Sequence, residues 1–132
     1  MYCDFYSVAD RNQTLPRFIR ALIEEIKRFD FAPYTKTFDT LFIGGGTPSL
    51  MKPAHLEKIL KTLSEKIDLC KLTEITLEAN PGEAPDKKLA DFHSLGVNRL
   101  SMGVQTLEPT LLKFLTRIHT VEDVFSTFSF AR

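Results

Sequence analysis

The sequence predicts an α/β chain built on a parallel sheet, and three observations carry that prediction. Short apolar runs of β-type residues alternate with longer stretches whose apolar residues recur at helical spacing. One strand and its helix occupy roughly 25–35 residues, the size of a βαβ step. Each β-type run stops at a cluster of glycine, proline or asparagine, or at a glutamine after a glycine.

The elements follow in order. Leu15, Phe18, Ile19, Leu22, Ile23, Ile26 and Phe29 form one broad apolar face of an amphipathic helix. Residues 39–43 (DTLFI) read as a strand that halts at three glycines. Pro53 suits a first helical position, with Leu56, Ile59, Leu60, Leu63 and Ile67 on one face behind it. Cys70 falls at the end of that helical pattern, where a free cysteine reads as a small buried hydrophobe. Residues 74–78 (EITLE) form the second strand, ended by Asn80, Pro81 and Gly82.

A helix from Asp86 carries Leu89, Phe92 and Leu95, and Gly96 supplies its C-terminal cap. Residues 98–104 (NRLSMGV) are the third strand, and Pro109 opens a short helix through Leu111, Leu112 and Leu115. Thr120 and Asp123 resemble a capping box for a last helix, with Asp in place of the usual Glu or Gln. The strands read as apolar runs more than as alternation, which predicts burial on both faces. Three strands fall short of a closed barrel of eight units, so residues 1–132 are expected to be a single partial domain, incomplete at both ends.

Composition narrows the function. The chain is 43% hydrophobic and 26% charged, with 17 basic and 17 acidic residues. That balance offers no bulk field for nucleic acid or an anionic membrane. No apolar run reaches the ~20 residues of a membrane span, and no signal peptide opens the chain, so the expected location is cytoplasmic. Two cysteines, Cys3 and Cys70, make no disulfide framework.

In parallel α/β folds, ligands bind at the carboxyl ends of the strands. Each of the three predicted strand ends carries an unusual element. The first is GGGTPS at residues 44–49, which is neither a Walker loop nor GxGxxG. Glycines there let a backbone approach a ligand closely, whereas a plain turn would need only one or two. The second is Glu78, a carboxylate closing an apolar strand, which needs a partner such as ribose hydroxyls, an ammonium group or the following turn. The third is Gln105, a neutral donor and acceptor suited to a polar ligand edge.

With Tyr-Cys-Asp-Phe at 2–5, GGGTPS, Glu-Ala-Asn-Pro-Gly at 78–82, RLSMGVQ at 99–105 and Arg117-Ile-His119, these motifs occur in one order. In that order the chain resembles the radical S-adenosylmethionine family, specifically the oxygen-independent coproporphyrinogen III oxidases and the HemW-type haem chaperones. The resemblance implies a partial radical SAM (β/α) barrel. It also implies a [4Fe–4S] cluster held by a CxxxCxxC loop, with S-adenosylmethionine on the fourth iron and a reductant protein that triggers its cleavage to a radical. Carried over, Cys3 is the third cluster thiolate and Tyr2 lies beside the cofactor. Gly45, Gly46 and Thr47 line the methionine end, and Glu78 meets S-adenosylmethionine. Gln105 and Arg117 fall on a second S-adenosylmethionine or substrate position.

The oxidases follow the third cysteine with Gly-Cys-Asn, where this chain has Asp4, Phe5, Tyr6 and Ser7. That favours the HemW-type branch, which binds haem and delivers it; the alternative is the oxidase, which decarboxylates porphyrinogen propionates. His55 and His93 sit in helical patterns and read as surface or packing residues before haem ligands, while His119 could position a loop. The cysteines expected three and seven residues before Cys3 have no counterpart in this sequence. The chain is therefore expected to hold no cluster, to be inactive as an enzyme, and to aggregate or stay molten alone. A nucleotide-binding α/β domain without a cluster is the third reading.

Overall fold

The computed structural model describes residues 13–34 and 38–132. Tyr2 and Cys3 lie outside the described residues. The order is α1 (Leu15–Arg28), β1 (Thr40–Ile43), a 3₁₀ turn (Pro48–Leu50), α2 (Pro53–Ser64), a second 3₁₀ turn (Leu69–Lys71), β2 (Glu74–Ala79), α3 (Asp86–Ser94), β3 (Arg99–Met102), α4 (Pro109–Phe114) and α5 (Val121–Ala131). Among the described residues the sheet is three-stranded and parallel, in the order β1-β2-β3. The α/β class and the parallel sheet expected from the sequence are both present.

Local chemistry accounts for the boundaries. Pro16, Pro53 and Pro109 stand in the first turns of α1, α2 and α4, where a missing N–H costs nothing. Lys27 and Arg28 close α1 at the negative end of its dipole. Gly96, at φ +101°, follows α3 in the left-handed conformation of a helix stop. Thr120 and Asp123 form a full capping box on α5, each side chain bonded to the other's backbone N–H.

The core lies between the sheet and α2 and α3. Leu56 and Leu60 of α2, Phe92 of α3, and Val97 pack on Ile75 and Leu77 of β2. Leu56 and Leu77 are wholly buried. Side chains alternate along a strand, so Glu74, Thr76 and Glu78 fall on the opposite face of β2. There the register sets Phe42 and Arg99 on either side of Thr76, and Ser101 beside Glu78. Thr76 Oγ1 donates to Glu74 Oε1 at 2.7 Å, and Arg99 reaches both residues.

Three expectations are corrected. Only β2 is buried on both faces; β1 and β3, each with one neighbour among the described strands, are partly exposed, with Phe42 at 57%. The broad face of α1, which packs mainly on α2 among the described elements, is only partly covered: Ile19 is buried, Leu15, Leu22, Ile23 and Ile26 are half-buried, and Phe18 and Phe29 stay exposed. Cys70 is exposed. Helix α2 ends at Ser64, and Cys70 sits instead in the 3₁₀ turn after it. With three residues per turn, Leu69 and Leu72 share the side that packs on the core, which leaves Cys70 outward. Asp68 fixes that turn by accepting from the Cys70 N–H at 3.1 Å.

Candidate functional site

The loops that follow β1, β2 and β3 meet at the carboxyl end of the sheet. The glycines after β1 serve two different purposes. A Cβ on Gly44 would stand 2.5 Å from the Phe42 ring and 3.0 Å from Glu78 Oε2, so this position is bare to admit both. Gly45 and Gly46 have φ of +85° and +48°, in the left-handed region, and a Cβ on either would meet nothing within 4 Å. Among the described residues, their backbone therefore faces open space.

Glu78, the last residue but one of β2, is half-buried, and its Oε2 accepts from the Gly45 N–H at 2.9 Å. A carboxylate has about four lone-pair sites, and among the described residues this is its single hydrogen bond. The arrangement is a preset negative group beside an exposed glycine backbone, suited to an ammonium group or to paired hydroxyls.

Asn80, two residues on, joins the loops. Its Nδ2 donates to Thr47 Oγ1 at 3.3 Å and to Glu83 Oε2 at 3.0 Å. Its Oδ1 accepts from Arg117 Nη2, and the same nitrogen donates to the Gly103 carbonyl at 2.9 Å. Gly103 has no room for a side chain, since a Cβ would lie 2.7 Å from Asn80 Oδ1, 3.2 Å from Arg117 Nη2 and 3.3 Å from Gln105 Nε2. Gln105 is exposed and left-handed at φ 66°, a conformation that a non-glycine residue rarely adopts.

The full length of the sequence, residues 1–132, matches the family model of the Radical SAM superfamily. The chain belongs to the radical SAM superfamily. Members of that superfamily in general use S-adenosylmethionine and a [4Fe–4S] cluster. The heme chaperone HemW of Lactococcus lactis is 40% identical over 126 residues, covering 96% of this chain and 32% of that protein. The heme chaperone HemW of Bacillus subtilis is 36% identical, covering 99% of this chain and 35% of its own length. The mitochondrial radical S-adenosyl methionine domain-containing protein 1 of Danio rerio is also 36% identical, over 99% of this chain and 30% of its own. Coproporphyrinogen III oxidase (HemN) of Escherichia coli, a radical SAM enzyme of known structure, superposes with a TM-score of 0.83 at 29% identity. That match spans 98% of this chain and 30% of the oxidase. The chain spans about a third of the length of the curated relatives it matches.

Measured against the radical SAM expectation, Gly45, Gly46, Thr47 and Glu78 are brought together as one wall. Gln105 and Arg117 converge on Gly103 beside that wall, with the Arg117 guanidinium turned inward to Asn80 and the β3 carbonyl. The Glu78 carboxylate, an acceptor, and the open glycine backbone are thus compatible with S-adenosylmethionine, which carries an amino group and ribose hydroxyls. For the cluster, the expected thiolate of Cys3 is outside the described residues. Among those described, no group of three or more His, Cys, Asp or Glu could hold a metal ion. No described helix is long and apolar enough to cross a membrane.

Sequence reasoning missed Asn80 and Gly103. Asn-Pro-Gly reads locally as a turn, and nothing local announces a partner 37 residues away. His119 is buried, with Nε2 3.3 Å from the Val104 carbonyl, which fits the loop-positioning reading. His93 is exposed on α3 and His55 half-buried on α2. At the edge of the site, α5 abuts the β2–α3 loop: the Gly82 N–H donates to Thr127 Oγ1 at 3.0 Å, and Asp123 packs on Gly82. The Thr120 backbone N–H and hydroxyl hold the Asp123 carboxyl below its ordinary value, helped by His119. A cleft among Leu89, Phe92, Val97, Leu100 and Phe130 lies at the opposite, amino end of β3, away from this chemistry.

Proposed function

We propose that this chain carries the S-adenosylmethionine-binding wall of a radical SAM protein of the haem-chaperone branch. One observation carries the reading: the Glu78 carboxylate, aligned by the Gly45 N–H, stands beside two glycines whose backbone is open. Glu78 would take the ligand's amino group or ribose hydroxyls, Gly45, Gly46 and Thr47 its methionine end, and Gln105 a polar edge beyond. Arg117 would act next to Gln105 at a second S-adenosylmethionine or substrate position. Cys3 would be the thiolate of this segment, with Tyr2 beside it. A [4Fe–4S] cluster, when bound, supplies the electron for reductive cleavage of S-adenosylmethionine, delivered by a reductant protein. The whole protein would work in the cytoplasm and take haem as its cargo, in keeping with the chaperones at 36–40% identity.

The test is a titration of the ¹⁵N-labelled full-length protein with S-adenosylmethionine. Amide shifts should concentrate at Gly45, Gly46, Thr47 and Glu78. Glu78→Gln should weaken the apparent Kd at least tenfold, because a charge-assisted hydrogen bond is worth about 1.5–3 kcal/mol. Shifts confined to other surfaces would sink the assignment.

The oxidase branch is the second reading, favoured by the fold likeness to coproporphyrinogen III oxidase. Haem titration and a porphyrinogen decarboxylation assay on the full-length protein separate the two. Stoichiometric haem uptake without decarboxylation is the result expected for the chaperone branch, and turnover to a decarboxylated porphyrinogen would replace it with the oxidase.

A further inference from the structure

We propose that Asn80 is the positioning residue of this site, holding the glycine loop at the distance from β2 that lets Gly45 align Glu78. The ligand half of the argument rests on the S-adenosylmethionine reading above; the positioning half does not.

Chemistry fixes how the amide must lie. Arginine only donates, so it must meet Oδ1; ionised glutamate only accepts, so it must meet Nδ2. Asn80 satisfies both at once, with Arg117 on its oxygen and Glu83 on its nitrogen. The remaining Nδ2 hydrogen is then directed at Thr47 Oγ1. One side chain thereby ties the β1 loop through Thr47, its own loop through Glu83, and the β3 end through Arg117 and the Gly103 carbonyl. Gly103 seals the arrangement, since any side chain there would collide with Asn80 Oδ1.

The consequence falls on Thr47, two residues after Gly45. Gly45 and Gly46 are left-handed and have no packing partner on their Cα, so they cannot hold the loop by side-chain contact. The Pro48–Leu50 turn packs on β2 and anchors the far end of the loop; nearer Gly45, the directional tether that sets its N–H against Glu78 is the Thr47 hydroxyl on Asn80. Aspartate at this position would keep the bond to Arg117 but set a second carboxylate against Glu83.

The ligand-free amide spectrum of the full-length protein tests this. The Gly45 resonance reports its bond to Glu78, and Glu78→Gln marks where it goes when the charged acceptor is lost. Asn80→Ala should move it toward that mark, and Thr47→Val, which cuts only the tether, should move it the same way in a chain that keeps its fold. Asn80→Asp should also displace it. Asn80→Asp with Glu83→Gln should return it, because the amide introduced at position 83 can donate to the new carboxylate. In parallel, the S-adenosylmethionine Kd should weaken about tenfold in Asn80→Ala and recover in the paired variant. A Gly45 resonance unmoved by Thr47→Val or Asn80→Ala would overturn the inference whatever the ligand does. A resonance that responds in a chain that binds no S-adenosylmethionine supports the tether and removes the ligand assignment instead.

Discussion

The two faces of β2 are made from one six-residue strand and do opposite work. Ile75 and Leu77 meet α2 and α3 in an apolar core, with Ala79 buried beyond them, while Glu74, Thr76 and Glu78 line the other face with Phe42, Arg99 and Ser101. On the first face the interactions are non-directional and add up by area. On the second they are single hydrogen bonds whose value depends on ångström placement. Stability and recognition are thus separated by one residue of register, and a slip of one would exchange them.

The largest effect should come from the apolar face. Leu77→Ala removes a fully buried side chain at the centre of the core and should lower unfolding free energy by about 2–5 kcal/mol in urea denaturation. Ligand affinity per folded molecule should stay the same; a change there would mean the faces are not independent.

Gly44→Ala tests the other face. Its methyl would strike the Phe42 ring and crowd Glu78 Oε2, and the ring, 57% exposed, can swing into solvent. Stability should change by less than about 1 kcal/mol, while S-adenosylmethionine affinity falls several-fold. A large loss of stability with intact binding would reverse the assignment of the two faces.

The smallest effect lies outside both faces, at the α5 cap. The Asp123 carboxyl is held below its ordinary value by the Thr120 N–H and hydroxyl. A carboxyl depressed on folding stabilises the chain above its unfolded value and loses that contribution as pH falls through the folded one. Melting temperature should therefore fall as pH drops below about 4, the ordinary range of aspartate. Asp123→Asn should flatten that acid limb slightly and leave the two faces untouched.

The sequence made the scaffold legible because its signals are local. Pro53, Pro109, Gly96 and the Thr120–Asp123 box each act within a turn of chain, and each stands where it was expected. Gly45, Gly46 and Glu78 were legible by position, since they sit where strands end and ligands bind. Asn80 was not, because its meaning lies in Thr47 and Arg117, 33 and 37 residues away. Cys70 was misread because apolar spacing continued after α2 had ended at Ser64. The exposure of β1 and β3 was misread because an apolar run does not say how many neighbours a strand has.

Gln105 sets two selective pressures against each other. Its left-handed backbone, at φ 66°, costs about 1–2 kcal/mol for a residue with a Cβ and nothing for glycine. In a variant library sorted for expression, Gln105→Gly should be enriched; in the same library sorted for ligand capture, it should be depleted. A residue that the fold would trade away and the chain nonetheless carries marks its own side chain as the reason it is there.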